Sequence, residues 1–100
     1  MPSTEKATQK AVIDYLTVKR KLHWRQNQGA VKTDKYFFRF TSINGMPDIF
    51  CVDRGKIYGI EVKDIKGSQT DNQKEFQRMF ENAGGIYILC KQVEDVMEVL

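Results

Sequence analysis

Asp48, Glu61 and Lys63 are the residues whose types and spacing suggest chemistry. Asp53-Arg54-Gly55-Lys56 reads as a tight hairpin between two strands, residues 48–52 and 56–63. A two-residue turn at Arg54-Gly55 sets Asp48 directly opposite Glu61, with Cβ atoms about 5 Å apart. Lys63 lies two residues beyond Glu61 and shares its face. A slip of one residue would break this pairing. Two adjacent carboxylates repel each other unless a proton or a cation lies between them. Mg²⁺ is suited to such a place, with one or two protein carboxylates and with water or phosphate oxygens elsewhere. A neighbouring lysine can orient or help to deprotonate an attacking water and offset phosphate charge. Together these groups are the equipment for metal-assisted phosphodiester hydrolysis. The plain alternative is a surface hairpin bearing a Glu–Lys pair, with Asp48 merely opening a strand after Pro47.

Positioning these groups requires a sheet with helices around it. Ser3 or Thr4 can cap a first helix, with Glu5 in its first turn. Ala7, Ala11, Tyr15, Val18 and Leu22 recur at helical spacing and predict its apolar face. Lys19-Arg20-Lys21 suits its C-terminal end. Residues 23–28 read as a strand, Gly29 as a turn and residues 36–40 as an aromatic strand. Asn44-Gly45 marks another turn. Thr70 with Gln73 fits a capping box, ahead of a stripe of Phe76, Met79, Phe80 and Ala83 and a C-cap at Gly84. Residues 86–90 form a further strand. Val93, Val96, Met97 and Leu100 suit a short final helix. The predicted order is α-β-β-β-β-α-β-α, a mixed α/β fold with helices flanking a sheet.

One hundred residues are enough for one domain, which we place over residues 1–100. With 41% hydrophobic and 29% charged residues, the chain is neither collagen-like nor mucin-like nor wholly disordered. Its longest apolar run, residues 86–90, is too short to span a bilayer. No apolar segment follows Met1, so no secretory signal is expected. Cys51 and Cys90 lack zinc-site spacing and lie in apolar runs, as buried free thiols in a reducing compartment would. His23 has no partner cluster. The net charge of +3 is unevenly spread. Residues 1–39 hold nine Lys or Arg against three acids, and the remainder seven against ten. That suits a polyanion-binding surface beside a carboxylate site, or equally a solvated helix face.

Gly45-Met46-Pro47-Asp48 followed by Ile60-Glu61-Val62-Lys63 resembles the PD-(D/E)xK nuclease superfamily. Lys66-Gly67, Gln73 and Ala83-Gly84-Gly85 before a last apolar strand are similar to its virus-type replication-repair nuclease (VRR-NUC) family. The resemblance is clearest from Gly45 to Cys90. It implies a restriction-endonuclease-like core, a mixed central sheet flanked by helices. It implies that Asp48, Glu61 and the Val62 carbonyl bind Mg²⁺ or Mn²⁺, that Lys63 positions or activates water, and that Gln73 lies beside the active site. Gln73 retains its capping role as the alternative. Glu5 is the candidate for an added carboxylate and a second metal, with Gln9 one turn further on the same face, although a first-turn Glu also serves the helix dipole. Trp24, Arg25, Asn27, Gln28, Lys32, Lys35 and Arg39 are candidates for a DNA groove, and Lys66 and Gln69 for backbone contacts. Core packing is the preferred role for Trp24 and the aromatic residues 37–40.

The implied activity is a divalent-metal-dependent DNA endonuclease acting on Holliday junctions or other branched DNA, as a homodimer and away from membranes. The implied setting is the cytoplasm of a bacterial or phage-infected cell. The alternatives are a nuclease on non-branched DNA working with a phage helicase or packaging partner, a non-catalytic DNA-binding module on the same fold, and an interaction protein with no site.

Overall fold

The computed structural model describes residues 4–26, 30–32, 37–39 and 43–100. Its elements run α1 (Thr4–Val18), β1 (Leu22–Arg25), β2 (Ala30–Lys32), β3 (Phe37–Arg39), β4 (Ile49–Asp53), β5 (Lys56–Val62), α2 (Asp71–Asn82), β6 (Ile86–Cys90) and α3 (Glu94–Met97). Four strands make a mixed sheet in the order β1-β4-β5-β6. The first three are antiparallel neighbours, and β6 joins β5 in parallel after the α2 crossover. The strands β2 and β3 form a separate antiparallel hairpin.

The central hairpin has the predicted register. Asp53 pairs with Lys56 and Ile49 with Ile60, so the loop is the two residues Arg54 and Gly55. Both have positive φ, 53° and 80°, as a type I′ turn demands. Such a turn matches the strand twist and leaves no freedom of register.

Alternation along the strands separates two faces. On one, Ile49, Cys51, Tyr58, Ile60, Val62, Ile88 and Cys90 meet Val12 and Leu16 of α1 and Val96 of α3. On the other, Phe50 packs against Phe76 and Phe80 of α2, with ring centroids 6.4 and 6.0 Å away. With both faces covered, the last five residues of β5 are buried as a run, Tyr58-Gly59-Ile60-Glu61-Val62. Cys51 and Cys90 are buried free thiols.

Three expectations are corrected. The buried face of α1 is Val12 and Leu16, with Ile13 and Tyr15 partly buried, whereas Ala7 and Val18 are exposed. The branched side chains carry more apolar area than the alanines. Their stripe was concealed because its N-terminal half is polar, Glu5 and Gln9. Next, the helix stops at Val18, and Leu22 opens β1 instead of extending α1. Arg20 takes a left-handed φ of 57°, and Lys21 N–H reaches back to Leu16 C=O at 2.9 Å, closing the last turn. Finally, a fifth strand precedes α2. The three residues of β2 were too short a run to register as a strand. Met79 and Met97 are also more exposed than the stripes containing them predict, at 47% and 48%.

Candidate active site

The residues at the open end of the β4–β5 hairpin converge. Asp48 immediately precedes β4, after the buried Pro47. Its Oδ2 accepts the Val62 N–H at 2.8 Å, which ties the start of β4 to the end of β5. Glu61 is only 2% exposed, and its Oε1 is buried with no hydrogen-bond partner among the described residues. Lys63 Nζ stands 3.8 Å from Glu61 Oε2, with both side chains largely buried. An extended residue directs its N–H and C=O to the same side of the strand. The Val62 carbonyl therefore faces the Asp48 side, past the end of β4.

Electrostatics distinguishes Glu61 from an ordinary carboxylate. Burial, the Asp48 charge and a hydrogen bond with the Asp48 carboxyl push its pKa up to about 8. Lys63 opposes the shift, and Glu5 adds to it. Glu5 lies on the α1 stripe that continues Val12 and Leu16 towards the N-terminus. Its charge thus reaches Glu61 from the N-terminal end of α1. Among the described residues, no three His, Cys, Asp or Glu side chains cluster as a metal site. A cation here would take Asp48, Glu61 and the Val62 carbonyl, with solvent or phosphate oxygens completing its shell. Mg²⁺ accepts such a set. The orphaned Glu61 oxygen beside a second carboxylate fits a hard cation on chemical grounds, because either a cation or a proton relieves that pair.

Other candidates fall in different places. Gln73 closes the predicted capping box: its Oε1 accepts from Thr70 N–H at 2.9 Å, and its own N–H donates to Thr70 Oγ1 at 3.2 Å. This first turn of α2 touches the loop before Asp48, since a Cβ on Gly45 would lie 2.2 Å from Asn72 O. Arg25 is exposed and donates to Gln9 Oε1. Trp24 packs on Phe50 at 5.7 Å between centroids but stays 42% exposed, so it is less a core residue than expected. Lys66 is exposed, with its N–H held by Asp64 Oδ1. Lys32 and Arg39 lie on β2 and β3. Asn27, Gln28 and Lys35 lie outside the described residues.

Sequence reasoning missed Tyr87. In the parallel register it stands opposite Gly59, on the face that carries Glu61. Its hydroxyl accepts from Gln69 Nε2 at 3.2 Å, and Gln69 also donates to Gln77 Oε1 at 2.8 Å. Burial pushes its pKa up to about 12, and the charges of Glu61, Asp48 and Glu81 add to this against the Gln69 bond. Only the register across the α2 crossover brings Tyr87 here, and no local signal encodes that.

No family model matches the sequence, and no curated protein does either. Among solved structures, a VRR_NUC domain superposes with a TM-score of 0.70 at 18% identity, over 97% of this chain and 94% of that one. Mixed sheet, flanking helices and crossover are all within this match, and the chain has the fold of that VRR_NUC domain.

Proposed function

We propose that the protein is a divalent-metal-dependent nuclease that hydrolyses phosphodiester bonds in DNA. The observation that carries this reading is the buried Glu61 oxygen against Asp48, unpartnered among the described residues, with Lys63 Nζ 3.8 Å from the same carboxyl. Asp48, Glu61 and the Val62 carbonyl would hold Mg²⁺ or Mn²⁺. The cation, when bound, supplies Lewis-acid activation of the phosphodiester and a lowered pKa for water. The remaining work falls to the chain. Asp48, anchored by the Val62 N–H, keeps its carboxyl aimed at Glu61. Lys63 orients the attacking water and offsets charge on the phosphate oxygens. Gln73 and Glu5 border this centre, Gln73 through the α2 first turn and Glu5 through its charge.

The VRR-NUC-like fold favours a homodimer cutting branched DNA in a symmetric fashion, by analogy of fold. The test is cleavage of labelled four-way junction, flap, duplex and single-stranded DNA with Mg²⁺, Mn²⁺ or EDTA, with Lys63→Ala alongside. Paired cuts in the junction alone, lost in EDTA and in the variant, are the expected result. Cutting of flaps or plain duplex keeps the chemistry and discards the branch preference. Binding without cutting under every condition overturns the nuclease reading in favour of a binding module.

A further inference from the structure

A second feature lies along α1, outside the carboxylate centre. Lys6, Lys10 and Ile13 of α1 and Arg25 of β1 line a cleft of about 260 Å³. The three cations are exposed. Among the described residues one carboxylate answers them: Lys10 Nζ meets Asp14 Oδ2 at 2.7 Å. Gln9 Oε1 takes a hydrogen bond from the Arg25 guanidinium and fixes its direction. A pocket with this excess of positive charge concentrates anions. Arg25 brings a planar fork that matches phosphate oxygens, and Ile13 offers an apolar wall to a sugar.

Arg25 pairs with Ile49, the residue after Asp48, so the cleft lies at the end of the sheet where the carboxylates converge. Glu5 and Gln9 continue the buried stripe of Val12 and Leu16, while Lys6, Lys10 and Ile13 form the next stripe, roughly a quarter turn around. Gln9, which holds Arg25, lies one turn or about 6 Å along the axis from Glu5. Glu5 in turn acts on Glu61 through its charge.

We propose that Lys6, Lys10 and Arg25 form a subsite for a non-scissile phosphate of the nucleic acid strand that is cut at Asp48 and Glu61. The proposal rests on the nuclease reading above. Its ligand is a backbone phosphodiester, read without regard to base sequence.

The experiment is binding of fluorescent junction and duplex DNA in EDTA across a salt titration. It compares the wild type with Arg25→Gln, with Lys6→Gln/Lys10→Gln and with Lys19→Gln. Removing one cation that pairs with a phosphate should flatten the slope of log K against log salt by about 0.9. Arg25→Gln and the double variant are expected to flatten it by one to two such steps, equally on both DNAs. Lys19, at the other end of α1, should leave the slope unchanged. The thermal shift given by Mn²⁺ should match wild type in all variants, reporting an intact carboxylate centre. Wild-type slopes in the cleft variants, or an equal flattening in Lys19→Gln, would overturn the subsite while the nuclease reading stands. Wild-type protein that neither binds nor cuts DNA overturns both.

Discussion

Glu61 ends β5 with one carboxyl oxygen buried against Asp48, and its state follows pH. Its pKa rises from 4.5 to about 8 on folding, so the folded protein holds the extra proton. The associated stability is full below 4.5 and is lost as pH climbs towards about 8. Urea unfolding of the metal-free protein at pH 5, 6.5 and 8 should therefore show a falling free energy. Glu61→Gln, always neutral, should flatten the trend. A bound cation replaces that proton, so stabilisation by Mn²⁺ should strengthen over the same range in the wild type. Asp48 separates ligand from tether. Asp48→Asn keeps an oxygen for the Val62 N–H, and should retain a near-native Tm while losing the Mn²⁺ shift and at least ~100-fold in cleavage rate. Asp48→Ala should lose both, with an added cost of about 1–3 kcal/mol for the stranded N–H.

At the scale of elements, α2 and the loop before β4 act as one piece. Gly45 has φ 79° and lies so close to Asn72 O that an added Cβ would sit 2.2 Å away. Gly45→Ala must push the first turn of α2 from the loop that ends in Asp48. It should lower Tm by several degrees and reduce cleavage as well, where a distant destabilising change would spare the rate. Thr70→Ala removes half of the capping box, at about 1 kcal/mol by denaturant unfolding. Gln73 can be dissected in the same assay. Gln73→Glu preserves the reciprocal bond to Thr70 N–H, and Gln73→Ala does not. If Gln73 serves the active site, cleavage falls in both variants while stability falls only in Gln73→Ala.

For the whole molecule, the core between the sheet and α1 and α3 protects two thiols. Burial pushes Cys90 up to about 11, helped by Asp95, and raises Cys51 as well. Neither should react with Ellman's reagent at pH 8 in the native state, and both should react together on global unfolding. Much of this architecture is legible in the chain. The Arg54-Gly55 turn dictates the register that sets Asp48 beside Glu61, and Thr70 with Gln73 dictates where α2 begins. These are short-range signals, resolved by turn geometry and capping within a few residues. The face of α1 was not legible, because the stripe that is buried is polar at its N-terminal end, where it reaches the site. The place of Tyr87 was hidden for a different reason: the parallel β5–β6 pairing is set across a crossover of some two dozen residues. The sequence by itself therefore determined which groups lie on one hairpin and how they face each other. Only the tertiary structure decided how deeply Glu61 is buried and which distant charges reach it, since burial and long-range pairing depend on elements far apart in the chain.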